Sequence, residues 1–277
     1  ASELLPKLKA ADLDLVFVSD QSAVEQVSIP CDRYSFFTRV AERTIFYLAD
    51  ARAGTAPFRV DTRLRPDGAG SPLVVSLDGF RQHFDRRGDL WEVQTYLAAR
   101  PIAGSRQLGD QALRIVMSTI ARFGDSRRIA ESIRSMRQRL EQTVVLPAWA
   151  SADFKRGSGG LVDLEFAAQY LQIVHAAEVD DLTRATPPEV FAKAGERGWL
   201  DQATTELLLE NYGFLRQLET DVRLILESRQ TCFPSDPARL EALTYAPGRK
   251  GGSTKSLRGE FERRIAQVRD LFNQILT

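Results

Sequence analysis

The sequence predicts a mainly helical α+β fold. Two observations carry this: strand-like runs rich in Val, Phe, Leu and Thr stand in the first third, and one helix-periodic segment follows another after residue 104. The shift in composition divides the chain into a domain over 1–104 and a helical bundle over 105–277.

The first strand is LDLVFVS at 13–19 and the second is FRVDTRLR at 58–65, both of alternating character. Between them YSFFTRVAERTIFYLADAR spaces its apolar residues as a helix does and ends near Gly54, a residue suited to a C-cap. Trp91 and Glu92 open a further helix, with Trp91 expected in the core rather than as a base-stacking platform. Beyond residue 104, strand signals almost vanish. DSRRIAESIRSMRQRLEQT, VDLEFAAQYLQIVHAAE, DQATTELLLENYGFLRQLETDVRLILES and LRGEFERRIAQVRDLFNQIL all repeat at i, i+3, i+4. APGRKGGST at 246–254 is a polar, Gly-rich and basic loop.

With 277 residues, 43% of them hydrophobic, the chain can fill one large or two modest cores. Thirty-seven basic residues balance thirty-seven acidic ones, so overall charge gives no reason to expect nucleic acid or a membrane as partner. Cys31 and Cys232 with His83 and His175 do not supply a closely spaced zinc set, and two cysteines suit a reducing compartment. No apolar run approaches the roughly 18 residues of a membrane span, and ASELLPKLKA lacks the apolar centre of a signal peptide. The expectation is a soluble, cytoplasmic protein.

Asp12 and Asp14 stand one residue apart at the head of the first strand, so a period of two puts both carboxylates on one face. Adjacent acids repel unless a divalent cation or a base relieves them. Two Mg²⁺ ions on such carboxylates are one reading, since they would clamp the attacking and leaving oxygens of a phosphoryl or nucleotidyl transfer; two solvated acids at a strand end are the other. Along VDTRLRPDG, strand alternation would bring Asp61, Arg63 and Arg65 onto one face, suited to a triphosphate beside metal or to an exposed face laced with ion pairs. In KRGSGGLVDLEF a tight turn opens a helix, where backbone N–H groups and Lys155 could receive an anion. The glycines could equally serve close packing between domains. Asp163 and Glu165 lie in that helix's first turn, favoured there by the dipole or directed toward the metal site. Arg100 is either a phosphate or adenine contact or a surface charge, and His83 and His175 receive no role.

VDTRLRPDGAGSPLVVSLDGFRQHF followed by WEVQTYLAARPIAG resembles the glutamine synthetase adenylyltransferase/deadenylylase family. DLDLVFVSD, IRSMRQRLE and FKRGSGGLVDLEFAAQYLQIVHA extend the likeness, in order, over most of residues 10–230. The resemblance implies a polymerase-β-like nucleotidyltransferase domain followed by a helical domain, the two together forming one catalytic half of a two-headed enzyme. Asp12, Asp14 and Asp61 match the family's metal-binding aspartates, and Arg63 and Arg65 its following arginines. It implies ATP as substrate, Mg²⁺ as cofactor, a tyrosine of glutamine synthetase as the group adenylylated or deadenylylated, and a PII-type protein as regulator. GGLVDLEF, Thr186 before a helix and ETDVRLI lean toward the transferase half.

The chain also departs from the family pattern. SELLPKLKAADLD stands where the family has a first strand, a Gly-Lys-Leu-Gly-Gly turn and a Ser before the first Asp; that Ser is Ala11 here, and Ala98 replaces a Lys or Arg. Those glycines would let backbone amides approach a triphosphate. A second expectation therefore stands beside the first: a diverged or truncated, non-catalytic regulatory or interaction module of the same family.

Overall fold

The computed structural model describes residues 12–20, 32–49, 58–176, 182, 184–228, 230–246 and 253–277. Cys31, Gly54, the departures before Asp12 and most of the 246–254 loop lie outside the described residues. The chain forms two compact units, Ala1–Arg122 and Phe123–Thr277. The division falls later than the 104/105 boundary because α4 (Arg106–Ser118) packs on α2 (Leu77–Arg86) and α3 (Leu90–Tyr96), which precede it.

In the first unit the run 12–19 forms two short strands, β1 (Asp12–Asp14) and β2 (Phe17–Ser19), instead of one. Each pairs in parallel with a different segment: β1 with β3 (Arg59–Asp61) and β2 with β4 (Val74–Ser76). α1 (Arg33–Ala49) lies between β2 and β3 in the chain; the Asp32 carboxylate accepts the Ser35 N–H at 2.9 Å and so caps its start. The second predicted strand is likewise shortened. Past Asp61 the backbone turns, because Pro66 offers no N–H to a ladder and Asp67 and Gly68 both take left-handed φ, 60° and 61°. The core of this unit is aromatic: the rings of Phe80 and Phe84 lie 4.8 Å apart, and Tyr96 closes edge-on against both.

In the second unit α6 (Leu161–Val174) is apolar on nearly every face and therefore sits centrally. It is surrounded by α5 (Ser126–Gln142), α7 (Pro187–Glu196), α8 (Gln202–Ile225) and α10 (Thr254–Ile275). Side-chain caps begin three of these: Asp125 for α5, Asp201 for α8 and Ser253 for α10. One feature of this unit departs from the all-helical expectation. β5 (Ala150–Asp153) pairs antiparallel with β6 (Cys232–Pro234), and α9 (Pro237–Thr244) follows. ASAD contains no β-branched or aromatic residue, so its strand character comes from tertiary pairing rather than from local propensity.

The Gly-rich turn between β5 and α6 is compact for a measurable reason. Gly159 has φ 73°, and a Cβ there would lie 1.9 Å from the Ile265 carbonyl oxygen of α10. Gly157 and Gly160 would meet backbone oxygens of their own turn at 2.4 and 2.7 Å. Gly159→Ala therefore combines left-handed strain with overpacking and is expected to lower stability by about 3 kcal/mol or more. A chemical denaturation curve checks this, with Gly213→Ala, which meets nothing within 4 Å, as the control.

Candidate active site

The β1–β3 register sets Asp14 directly beside Asp61, with Leu13 beside Val60 and Asp12 beside Arg59. Paired residues of parallel strands share a face, and the period of two brings Asp12 onto the face of Asp14. The Leu15 N–H donates to the Asp61 carbonyl at 2.8 Å, carrying the ladder one step beyond the strands. Three carboxylates thus project from one edge of the first unit.

Their charges are handled unequally. Burial raises the Asp14 carboxyl above the usual carboxylate range, and the charges of Asp61 and Asp12 push it further, with Arg63 opposing. The Asp61 carboxyl is held down to about 2, chiefly by its side-chain hydrogen bond from Arg63. The Arg63 Nε lies 3.0 and 2.9 Å from the two carboxylate oxygens, and the Arg63 backbone N–H donates to Oδ1 at 2.9 Å. Asp12 has a looser partner in Arg59, at 3.8 Å. Among the described residues, no group of three His, Cys, Asp or Glu side chains converges into a ready metal cage. In chemistry the three carboxylates on one face nonetheless suit a hard divalent cation, which takes oxygen donors of this kind.

Arg65 is not on that face. Only 9% exposed, it donates to the carbonyl oxygens of Thr62, Ala69 and Ser71 and so stitches the turn after Asp61 together. The Tyr96 hydroxyl adds a bond to the Leu64 carbonyl at 2.9 Å. The expected alternation of Asp61, Arg63 and Arg65 along one strand is corrected accordingly: Arg63 reaches Asp61 by folding back, and Arg65 turns inward. Arg100 is exposed, with no ion pair among the described residues. Trp91, expected in the core, is 45% exposed, while Glu92 is buried and its Oε1 lies 2.7 Å from the His83 Nε2.

Most amides of the Gly-rich turn are already used within the fold. The Leu161 and Val162 N–H groups are spent on the Phe154 and Lys155 carbonyls, the Gly159 N–H on Asp163, and those of Lys155 and Arg156 on the Asp153 carboxylate. Asp163 is fully buried and bonded to Arg137, with Arg269 at 3.2 Å, so it serves the helical core and not a metal. Gly159 packs closely against α10, within the second unit, and Gly157 and Gly160 against backbone of the same segment. The Lys155 side chain instead reaches toward Glu219 at 3.9 Å, which also takes Arg216 at 2.5 Å and Arg223 at 3.6 Å. Burial raises the neighbouring Glu165 carboxyl, and Lys155 and Arg216 temper the rise. The reading of the sequence missed this cluster. Its only local signal is the spacing of Arg216, Glu219 and Arg223 along one side of α8.

Comparison with known proteins divides the chain much as the compact units do. Residues 8–115 match the family model for glutamate-ammonia ligase adenylyltransferase, and residues 127–276 match that for GlnD PII-uridylyltransferase. The chain is 29% identical over 272 residues to the bifunctional glutamine synthetase adenylyltransferase/adenylyl-removing enzyme of Mycobacterium bovis, covering 96% of this chain and 26% of that protein. The enzyme of the same description from Pseudomonas aeruginosa is 31% identical over 228 residues, 82% of this chain and 23% of the relative. That of Mycolicibacterium smegmatis is 32% identical over 226 residues, 82% and 22% respectively. The chain thus spans about a quarter of the length of these relatives. The ordered motifs, the matched family models and these relatives agree: the chain belongs to the glutamine synthetase adenylyltransferase/adenylyl-removing family.

Proposed function

We propose that the first unit is a nucleotidyltransferase site of polymerase-β type that moves an adenylyl group between ATP and a tyrosine of glutamine synthetase, or removes it with phosphate. The observation that carries this reading is the register of Asp14 beside Asp61, with Asp12 on the same face. Asp12, Asp14 and Asp61 would hold Mg²⁺, which when bound supplies charge stabilisation to the phosphate oxygens. Arg63, at the edge of the site, would bind the phosphates of the nucleotide, and exposed Arg100 remains a candidate for the same task. Arg65 positions the turn that carries both Asp61 and Arg63. Asp61, hydrogen-bonded by Arg63 through both carboxylate oxygens, would bind and orient in this reading.

The helical unit would present the target protein, with a PII-type protein as regulator; the match of residues 127–276 to the PII-uridylyltransferase model supports a shared accessory role. The leaning toward the transferase direction rests on GGLVDLEF and ETDVRLI. A second reading, a non-catalytic module, draws on the closure of Arg63 over Asp61 and the lack of a converged carboxylate trio among the described residues.

Incubating the chain with labelled ATP, Mg²⁺ and glutamine synthetase separates the two. Label on a tyrosine, or its release by phosphate from the adenylylated target, is the expected result. A folded chain inert in both directions would establish the second reading.

A further inference from the structure

We propose that Arg63 is an exchangeable counter-ion: it sits on Asp61, competes with a divalent cation for that carboxylate, and once displaced is free to meet phosphate oxygens. The inference rests on the metal-binding reading of the three aspartates and adds to it the order in which charges trade places.

The charge inventory of the edge is unbalanced. Asp12, Asp14 and Asp61 face two guanidiniums, Arg59 on Asp12 and Arg63 on Asp61. Among the described residues no cation stands within ion-pair distance of Asp14, whereas Asp61 lies directly beside it in the register and Asp12 shares its face. Asp14 is therefore where a divalent cation gains most, and the register makes Asp61 the next carboxylate it meets. Arg63 already covers both Asp61 oxygens, so the cation cannot take them without moving the guanidinium.

That movement is easy for Arg63. Its side chain is 72% exposed, and an exposed ion pair is screened by water and held weakly. Arg65, two residues on, offers the contrast: it is locked by three backbone carbonyls and cannot serve as the mobile charge. Displacement leaves the Arg63 guanidinium tethered two residues from Asp61, close to whatever anion the cation attracts. The cation thus takes over the role of Asp61's positive partner, and its arrival shifts Arg63 toward phosphate.

The test reads metal binding and chemistry separately, on the full chain. Mn²⁺ is titrated into wild type and Arg63→Gln by electron paramagnetic resonance, with melting curves matched to confirm the fold, and adenylyl transfer is measured alongside. Removing the competitor is expected to tighten Mn²⁺ binding about three-fold. Losing the phosphate contact is expected to slow transfer by about tenfold or more. Opposite signs in the two readouts are the signature, since a merely structural loss would weaken both. Mn²⁺ bound equally or more weakly by Arg63→Gln than by wild type overturns the exchange while leaving the aspartate site standing. Silence toward Mn²⁺ in both proteins overturns the metal reading itself.

Discussion

Asp14→Asn is expected to slow adenylyl transfer by roughly 100- to 1000-fold, the range found when one preorganised group is removed from a charged transition state. Asn keeps the shape and one oxygen but removes the charge that neighbours Asp61 and Asp12. The fold should not suffer. Because the Asp14 carboxyl binds its proton more tightly in the folded chain than in the unfolded one, ionising it costs stability as pH rises through the carboxylate range, and Asn removes that cost. Thermal melts at neutral pH should show the variant as stable as wild type or slightly more so. Transfer lost together with the melting transition would point to a structural role for Asp14.

Asp163→Asn is expected to destabilise the second unit by about 3–5 kcal/mol, the cost of leaving a buried charge without its partner. Both Arg137 and Asp163 are fully buried. Arg137 binds Asp163 of α6 and the Gly157 carbonyl at 2.7 Å; Arg269 of α10 bonds to Glu141 of α5 at 2.7 Å and to Asp163 at 3.2 Å. One carboxylate therefore ties together α5, the Gly-rich turn, α6 and α10. Neutralising it leaves the fully buried Arg137 with Glu141, at 3.3 Å, as its one remaining carboxylate among the described residues, which it must share with Arg269. Urea unfolding followed by far-ultraviolet circular dichroism measures the loss. An unchanged midpoint would show that Glu141 alone suffices to compensate both arginines.

These two sites show what local pattern in the sequence does and does not convey. Helices α5, α8 and α10 were legible because each buries a continuous stripe that 3.6-residue periodicity writes directly into the chain, and α6 because its long apolar run is buried on nearly every face. The same-face placement of Asp12 and Asp14 followed from strand period alone. What escaped depends on partners distant in sequence or on backbone atoms. Arg65 reads as a third strand-face residue, but its partners are carbonyl oxygens of a turn that Pro66 forces. Asp163 reads as a helix-dipole acid, whereas its partners Arg137 and Arg269 lie 26 and 106 residues away. Strand β5 exists through β6, which is far along the chain, and the later boundary between the units exists through α4 packing back on α2. The Gly-rich segment left an anion site and close packing both open, because its N–H groups look available in sequence; in the fold most of them are used by its own carbonyls and carboxylates.

Calorimetric titration of the chain with a non-hydrolysable ATP analogue, with and without Mg²⁺, beside the Asp12→Asn/Asp14→Asn variant, tests the placement of the active site most directly. Binding that requires Mg²⁺ and disappears in the variant is the expected result. Binding of equal strength in the two proteins, or binding indifferent to Mg²⁺, would contradict the assignment of the active site to these carboxylates.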